Sequence, residues 1–487
     1  MTTRTETSHD IVTSLKRKAI DLVESVVEMT SAAGSGHPTS ASSLAHVVTC
    51  LLYHHMRYDP ARPDAREADR LVLSEGHACP IVYAAAADIG IAIGVGDERR
   101  PMTTEDALTL RDLESPIDGH PNPAEGFPFF PAATGSLGQG LSVAAGLAIA
   151  SRLDALDRRV FAIMGDGESR EGQIWEALEL IRDQRLAAVC PIFNANGFGQ
   201  TGPVAPGEEP SGIRRKLEAL GYECVEIDGH DPEQILDALE HHATEASEDP
   251  LRLVAIIART VKGWGFASKA PGGRHGKAYS SKDEPGVLAE IEAERRSLGA
   301  TNRSVELRPR SPSAGAWTED APSTADETMR GFPRFRDGLE ENGEAERLES
   351  GRISPRRALG LALRSIAKRR PDVVVLDGDV SNSTYTELVA DDPELSRRFV
   401  QCYIAEQNMI SCAAGLAAGR KIPVAATFGK FVVRGYDQLE LALISRAGLK
   451  IIATHTGVTP AADGPSQMAL ADVAFFRAWS CVDRGDG

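Results

Sequence analysis

Val160-Phe161-Ala162-Ile163-Met164 runs without a break into Gly165-Asp166-Gly167-Glu168. An apolar run of that length reads as a buried strand. The acid that follows it then lies at the strand's carboxyl end, the edge where open α/β sheets bind ligands. Gly165 and Gly167 let the backbone approach a bulky anionic group. A helical pattern from Gln173 to Arg185 comes next, then a second apolar run and Asn194-Ala195-Asn196-Gly197. Asn196 therefore returns an amide oxygen to the same rim 30 positions after Asp166. An aspartate oxygen, an asparagine oxygen and a loop carbonyl make an incomplete shell of hard ligands, of the kind Mg2+ or Ca2+ takes when phosphate oxygens fill the remaining positions. The plainer alternative is a strand-to-helix turn with Asp166 as its cap.

The composition narrows the setting. A chain of 487 residues is long enough for about two to four domains. Apolar residues at 42% and charged residues at 25% fit soluble globular domains. A formal charge of −17 argues against nucleic-acid or anionic-membrane surfaces, so an anionic ligand needs a local basic pocket. The seven cysteines contain no Cys-X-X-Cys, which indicates neither a disulfide framework nor a zinc site but buried thiols in the cytoplasm. The N-terminal segment lacks an apolar signal core, and no apolar run reaches membrane-spanning length.

Histidine recurs beside glycine at segment ends. Apolar residues at helical spacing predict a helix from Ile11 to Met29, which stops at Ser31-Ala32-Ala33-Gly34-Ser35-Gly36-His37-Pro38. His37 is thereby placed on a loop before a second helix, Ser42 to Met56. Leu73-Ser74-Glu75-Gly76-His77-Ala78, Asp118-Gly119-His120-Pro121 and His275-Gly276-Lys277 repeat the pattern. A single loop histidine is ordinarily a surface or capping residue; four in one pattern suggest a shared site. Gly135-Ser136-Leu137-Gly138-Gln139-Gly140 leads into an alanine-rich helix ending near Leu153, with small residues that permit tight packing or a close ligand approach. Lys262 follows the strand Leu251 to Ala258, either as a solvated charge or as a diphosphate contact.

From Gly299 to Gly351 the sequence turns to Ser, Pro, Glu, Asp and Arg with little periodicity, which reads as an inter-domain linker. A second α/β pattern begins at Arg352-Ile353-Ser354-Pro355-Arg356, with a helix to Lys368 and a buried strand Val373-Val374-Val375-Leu376. Ser381-Asn382-Ser383-Thr384 follows, then Tyr403-Ile404-Ala405-Glu406-Gln407-Asn408, which opens a small-residue helix. Glu406 there is either an ordinary first-turn acid or a ligand group. Thr427-Phe428-Gly429-Lys430-Phe431 carries two aromatics three apart, suited to a core or to a ring-binding wall. Thr454-His455-Thr456-Gly457-Val458 and Asp463-Gly464-Pro465-Ser466-Gln467 close the series.

Taken in order, these segments resemble the transketolase family. The resemblance implies two thiamine diphosphate-binding-fold α/β domains, each a mostly parallel sheet with helices on both faces. Residues 1–298 would be the diphosphate-binding domain, 299–351 the linker, and 352–487 a pyrimidine-binding domain incomplete at its C-terminal end, the family's third domain being absent. Asp166, Asn196 and the Phe198 carbonyl would hold Mg2+ or Ca2+. Gly135, Ser136, Leu137, Gly165, Gly167, Glu168, Gln200 and Lys262 would bind the cofactor, and Phe428 and Phe431 would receive its pyrimidine. Glu406 would hydrogen-bond the aminopyrimidine and protonate it; a buried carboxyl beside an apolar ring is expected to hold its proton. Glu171 would link two active sites across a dimer. His37, His77, His120 and His275 would carry protons and bind hydroxyls, with Gln467 near the donor and Asp463 reading a donor hydroxyl. Arg356, Ser383 and His455 would hold a terminal phosphate.

The implied activity is transfer of a two-carbon ketol unit from a ketose phosphate to an aldehyde through a dihydroxyethyl adduct of thiamine diphosphate, chemistry that no side chain supports alone. Three features depart from the family pattern: Glu75, Lys430 and Thr459-Pro460-Ala461-Ala462. They leave open a biosynthetic variant with a non-sugar or carrier-bound acceptor. A catalytically silent, partner-binding subunit is the alternative from another class. An open edge on a parallel sheet suggests a split enzyme with a separate chain as partner.

Overall fold

The computed structural model describes residues 2–298, 305–312, 334–458 and 460–480. The chain divides into two compact units, Met1–Gly315 and Ala316–Gly487. No helix among the described residues is long and apolar enough to cross a membrane.

In the first unit a long helix, α1 (Thr2–Ala32), buries Leu15, Ile20, Val23, Val26 and Val27, the stripe its periodicity requires. The single helix expected over 42–56 is three pieces: α2 (Pro38–Ser43), α3 (Ala45–Cys50) and a π-helical turn, Leu51–His55. It starts earlier because Pro38 suits a first helical turn, which makes His37 the N-cap residue rather than a mid-loop one. Besides a small antiparallel pair, Ala92–Ile93 with Arg100–Pro101, five strands follow: β1 (Arg70–Leu73), β2 (Val160–Gly165), β3 (Val189–Ala195), β4 (Glu223–Asp228) and β5 (Val254–Arg259). They form one parallel sheet in the order β1-β2-β3-β5-β4. The inner strands β2 and β3 are buried along their length, which is why they read as apolar runs. Gly165 pairs with Asn194, so Asp166 and Asn196 emerge on one rim.

Helix α4 (Gly140–Leu153) packs on β2 and on α5 (Gly172–Asp183). A Cβ at Gly140 would stand 2.6 Å from Ser74 Cβ, so only glycine allows this helix to start against the end of β1.

Part of the stretch read as linker is structured. Residues 305–312 lie on the first unit, where Arg310 N donates to the Met56 carbonyl (3.0 Å) and Tyr58 N donates to the Arg310 carbonyl (2.9 Å). In the second unit, α6 (Phe335–Glu341) and α7 (Ala345–Glu349) precede α8 (Pro355–Arg369). Leu339 is buried, and Asn342 Oδ1 accepts from Arg364 Nη1 at 3.0 Å. These helices are too short to show a periodicity, and Asn342 and Glu344 tie them to Ser365, Arg364 and Arg357 of α8. The rest of the presumed linker lies outside the described residues.

The second unit's sheet has four parallel strands, β6 (Val373–Asp377), β7 (Phe399–Gln401), β8 (Ile422–Phe428) and β9 (Lys450–Thr454), in the order β9-β8-β6-β7. Helix α9 (Glu406–Ala418), rich in Ala and Gly, packs closely on β8.

Gly140→Ala should destabilise the first unit by about 1–3 kcal/mol through overpacking against Ser74. The urea unfolding midpoint should fall accordingly, and an unchanged midpoint would show that α4 docks with room to spare.

Candidate active site

The carboxyl rim of the first sheet opens into a cavity of about 390 Å³. It is lined by His37, His77, His120 and His275, and by Gly135, Leu137, Gly165, Asp166, Gly167, Glu168, Asn196, Phe198, Gln200 and Lys262. Ser136, expected to bind the cofactor, is not among the lining, and neither is Glu171, which was expected at a dimer interface. Glu171 is exposed; the adjacent Gly138 (φ +93) leaves no room for a Cβ, which would meet Glu171 Cβ at 2.7 Å.

The imidazoles form one cluster. His37 lies 4.9 Å from His77, 5.0 Å from His275 and 6.3 Å from His120, centroid to centroid. Burial, reinforced by neighbouring imidazoles, drops the His37 pKa to about 3. Burial also lowers His275 to about 4, and His77 and His120 in the same direction. The cluster is therefore neutral near pH 7, able to accept as well as donate protons. His37 Nδ1 is buried with no hydrogen-bond partner among the described residues. Gly135 (φ +133) permits the contact with His120, whose Cδ2 would be 2.7 Å from a Cβ there.

Below the imidazoles lie oxygen groups. Asp166 Oδ1 accepts from Gly167 N (2.8 Å) and Oδ2 from Gly197 N (2.6 Å), yet burial still raises its pKa to about 6. Asn196 Oδ1 accepts from Phe198 N at 3.0 Å. Asn194 is spent on the protein: its Nδ2 donates to Ser43 Oγ (3.0 Å) and Glu75 Oε1 (2.8 Å), and its Oδ1 accepts from Thr260 Oγ1 (2.5 Å). Glu168 Oε1 accepts from Ser74 Oγ and from Gly138 N (2.7 Å), and Oε2 from Gly165 N (3.0 Å). Burial pushes Glu168 up to about 7 against those bonds. Lys262 Nζ donates to the Phe198 carbonyl (3.3 Å) and to His275 Nδ1 (2.8 Å).

Within the loop Gly199–Ala205 the sequence pointed to Gln200 alone; the rest of that loop, with Glu208 and Arg170, also lines the cavity. The glycines at 199, 202 and 207 were its available signal. Glu75, noticed only as a departure, is fully buried in the cavity wall, and burial raises its pKa well above the usual range.

In the second unit Glu406 opens α9 and is buried. Its surroundings are not purely apolar, as expected, but mixed: Arg434 Nη1 stands 3.2 Å from Glu406 Oε2. Phe428 and Phe431 stack at 5.3 Å with their planes 11° apart, and His455 lies 4.1 Å from Phe428. Arg356 Nη1 donates to the Ser383 carbonyl (2.7 Å) and to His455 Nε2 (3.1 Å), so these three residues do meet. Asp463 and Gln467 sit on successive single turns, Ala461–Asp463 and Pro465–Gln467, and the Asp463 charge reaches His455. Thr459 lies outside the described residues.

Residues 11–311 match the profile of the transketolase thiamine diphosphate binding domain, and 352–481 that of the transketolase pyrimidine binding domain. The chain belongs to the transketolase family. It is 37% identical over 458 residues to transketolase-like protein 2 of Mus musculus, covering 93% of this chain and 66% of that protein, slightly under two thirds of its length. To the transketolase of Rattus norvegicus it is 36% identical over 469 residues, 95% of this chain and 68% of the relative. The fold is similar to that of the solved Campylobacter jejuni transketolase, with a TM-score of 0.76 at 24% identity, over 96% of this chain and 73% of that one.

The donor set fits what this transketolase domain is named for. One carboxylate, one amide oxygen and one carbonyl are hard ligands suited to Mg2+ or Ca2+, and the raised pKa of Asp166 marks a buried carboxylate that a cation would stabilise. Among the described residues no group of three or more His, Cys, Asp or Glu side chains could hold a metal alone. Diphosphate oxygens would have to complete the shell.

His37→Gln provides a pH test. In the unfolded chain His37 takes a proton near 6.5, in the folded chain only near 3, so acidification between those values favours unfolding. Removing the imidazole should make the unfolding free energy fall less steeply from pH 6.5 to pH 4 than in the wild type. Identical slopes would show that His37 is not held neutral by its surroundings.

Proposed function

We propose that this protein is a thiamine diphosphate-dependent transketolase that moves a two-carbon ketol unit from a ketose phosphate to an aldehyde. The observation that carries the reading is the meeting of four neutral imidazoles with Asp166, Asn196, the Phe198 carbonyl and Lys262 around one cavity. Bound thiamine diphosphate supplies the electron sink that a carbanion beside a carbonyl requires. Asp166, Asn196 and Phe198 would hold a divalent cation against its diphosphate, with Lys262 and the glycines at 135, 165 and 167 beside it. The stacked Phe428 and Phe431 would receive the pyrimidine, and Glu406 would bind it and move its proton. His37, His77, His120 and His275 would bind donor hydroxyls and shuttle protons, and their low pKa values keep them able to accept.

For substrate, Arg356 with His455 and Ser383 gives the acidic chain a local cationic site for a terminal phosphate. Asp463 and Gln467 would meet the donor's hydroxyls. Glu171, exposed beside the Gly138 loop, would cross the interface of a dimer in which each site is shared by two copies. A separate chain adding to the outer edge of β9, which pairs only with β8 among the described residues, belongs to the same proposal, as does a cytoplasmic setting, in keeping with the free thiols of Cys50, Cys79, Cys190, Cys224, Cys402 and Cys412.

The test is turnover with thiamine diphosphate, Mg2+, phosphorylated ketose donors and a panel of aldehyde acceptors. Two-carbon transfer is expected, and Glu406→Gln should lower it by at least about a hundredfold without changing the unfolding midpoint. Cofactor binding with no transfer to any acceptor would instead mark a silent subunit.

A further inference from the structure

A second pair of imidazoles lies away from the cavity. His46, in α3, is 2% exposed, and its Nδ1 stands 3.1 Å from Nδ1 of His230, in the turn after β4. Trp264 covers both rings, stacked on His230 at 5.3 Å with the planes 17° apart and edge-on to His46 at 4.3 Å. The other ring nitrogen of His230, Nε2, accepts from Val261 N at 2.8 Å. Neither histidine lines the cavity.

These bonds fix where the protons sit. An amide N–H can only donate, so His230 Nε2 is bare and the ring carries its proton on Nδ1. That proton is donated to His46 Nδ1, which leaves the His46 proton on Nε2. Burial keeps both rings neutral: it lowers His230 to about 4 against the pull of Asp228, and it lowers His46 well below the usual value, helped by the neighbouring imidazole and by Lys16 of α1. Lys16 in turn stands 3.9 Å from Asp231.

The amide so held belongs to the residue before Lys262. The segment Thr260–Trp264 leaves β5 and is tied at three backbone nitrogens. Thr260 N donates to the Ala195 carbonyl (3.2 Å), Gly263 N to the Thr39 carbonyl (2.9 Å), and Val261 N to the imidazole. Two of these acceptors are backbone. The third is a side chain whose accepting nitrogen exists in only one tautomer.

We propose that His46 is a positioning residue: by accepting from His230 Nδ1 it selects the tautomer whose Nε2 anchors the Val261 amide, and so holds the turn that presents Lys262 to the cavity. The inference rests on the transketolase reading for what that turn serves, and on the histidine geometry for how it is held. Without an acceptor at position 46 the other tautomer becomes accessible, and its Nε2 proton meets the Val261 N–H donor to donor.

Full-length wild type, His46→Gln and His46→Leu test this by 15N spectra of the histidine rings, hydrogen exchange of the Val261 amide, and titration with thiamine diphosphate in Mg2+. At pH 7 the wild type should show His230 protonated on Nδ1 and His46 on Nε2. His46→Gln, whose amide oxygen accepts, should keep the His230 tautomer and bind the cofactor within about twofold of the wild type. His46→Leu should show His230 in both tautomers, Val261 exchange faster by about tenfold, and cofactor affinity lower by about five- to tenfold. A wild-type His230 protonated on Nε2, or a His46→Leu with unchanged Val261 exchange and cofactor affinity, would overturn the inference and leave the cofactor site standing. Should His46→Leu not fold, weakened binding in His46→Gln with the tautomer kept would overturn it instead. A wild type with the expected tautomers that binds no thiamine diphosphate would overturn the transketolase reading and, with it, the role given to the turn.

Discussion

One buried carboxylate holds the rim together. Glu168 accepts from Ser74 at the end of β1, from Gly138 in the loop before α4 and from Gly165 at the end of β2. Burying an acid is costly unless its oxygens are bonded, and here three donors from three segments meet that demand. The same bonds fix the turn that carries Glu75 and His77, the glycine loop that borders His120, and the turn that carries Asp166. Loss of Glu168 would leave buried donors on all three segments without their acceptor, and the cavity walls would lose their common anchor. Small glycine loops can be precise only because something rigid ties their ends.

The cavity's electrostatics follow from its depth. Burial drives the imidazoles toward neutrality and the acids toward their protonated forms, while Lys262 is held below its usual range. Four acids, Glu75, Asp166, Glu168 and Glu208, line the cavity with one buried ammonium and the exposed Arg170. Such a site is short of positive charge and favours a ligand pair that brings its own cation. A chain with a formal charge of −17 handles anionic ligands by this local device rather than by a basic surface.

Much of this was legible in the sequence because parallel strands buried on both faces must be apolar throughout, and the chemistry sits at their ends. Val160–Met164 and Val373–Leu376 fall inside β2 and β6, and the four glycine-flanked histidines meet at one cavity. What escaped notice depends on tertiary contact. Arg434 lies 28 positions from Glu406 and has no local mark of the pairing. The break of the 42–56 helix arises where Leu44 leaves helical geometry and a π turn follows, although all of these residues but His54 are buried. The packing of residues 334–349 rests on contacts to α8 that composition alone reads as linker.

As proposed above, the oxygen cradle at the ends of β2 and β3 of one copy and the carboxyl at the start of α9 of a second copy serve one cofactor. Crystals of the protein grown with thiamine diphosphate and Ca2+ test it most directly. An anomalous peak is expected at roughly 2.3–2.6 Å from Asp166 Oδ, Asn196 Oδ1 and the Phe198 carbonyl. An aminopyrimidine within hydrogen-bond distance of Glu406 from a second copy is expected in the same crystals. A cofactor bound elsewhere, or a cation that avoids Asp166, would contradict it.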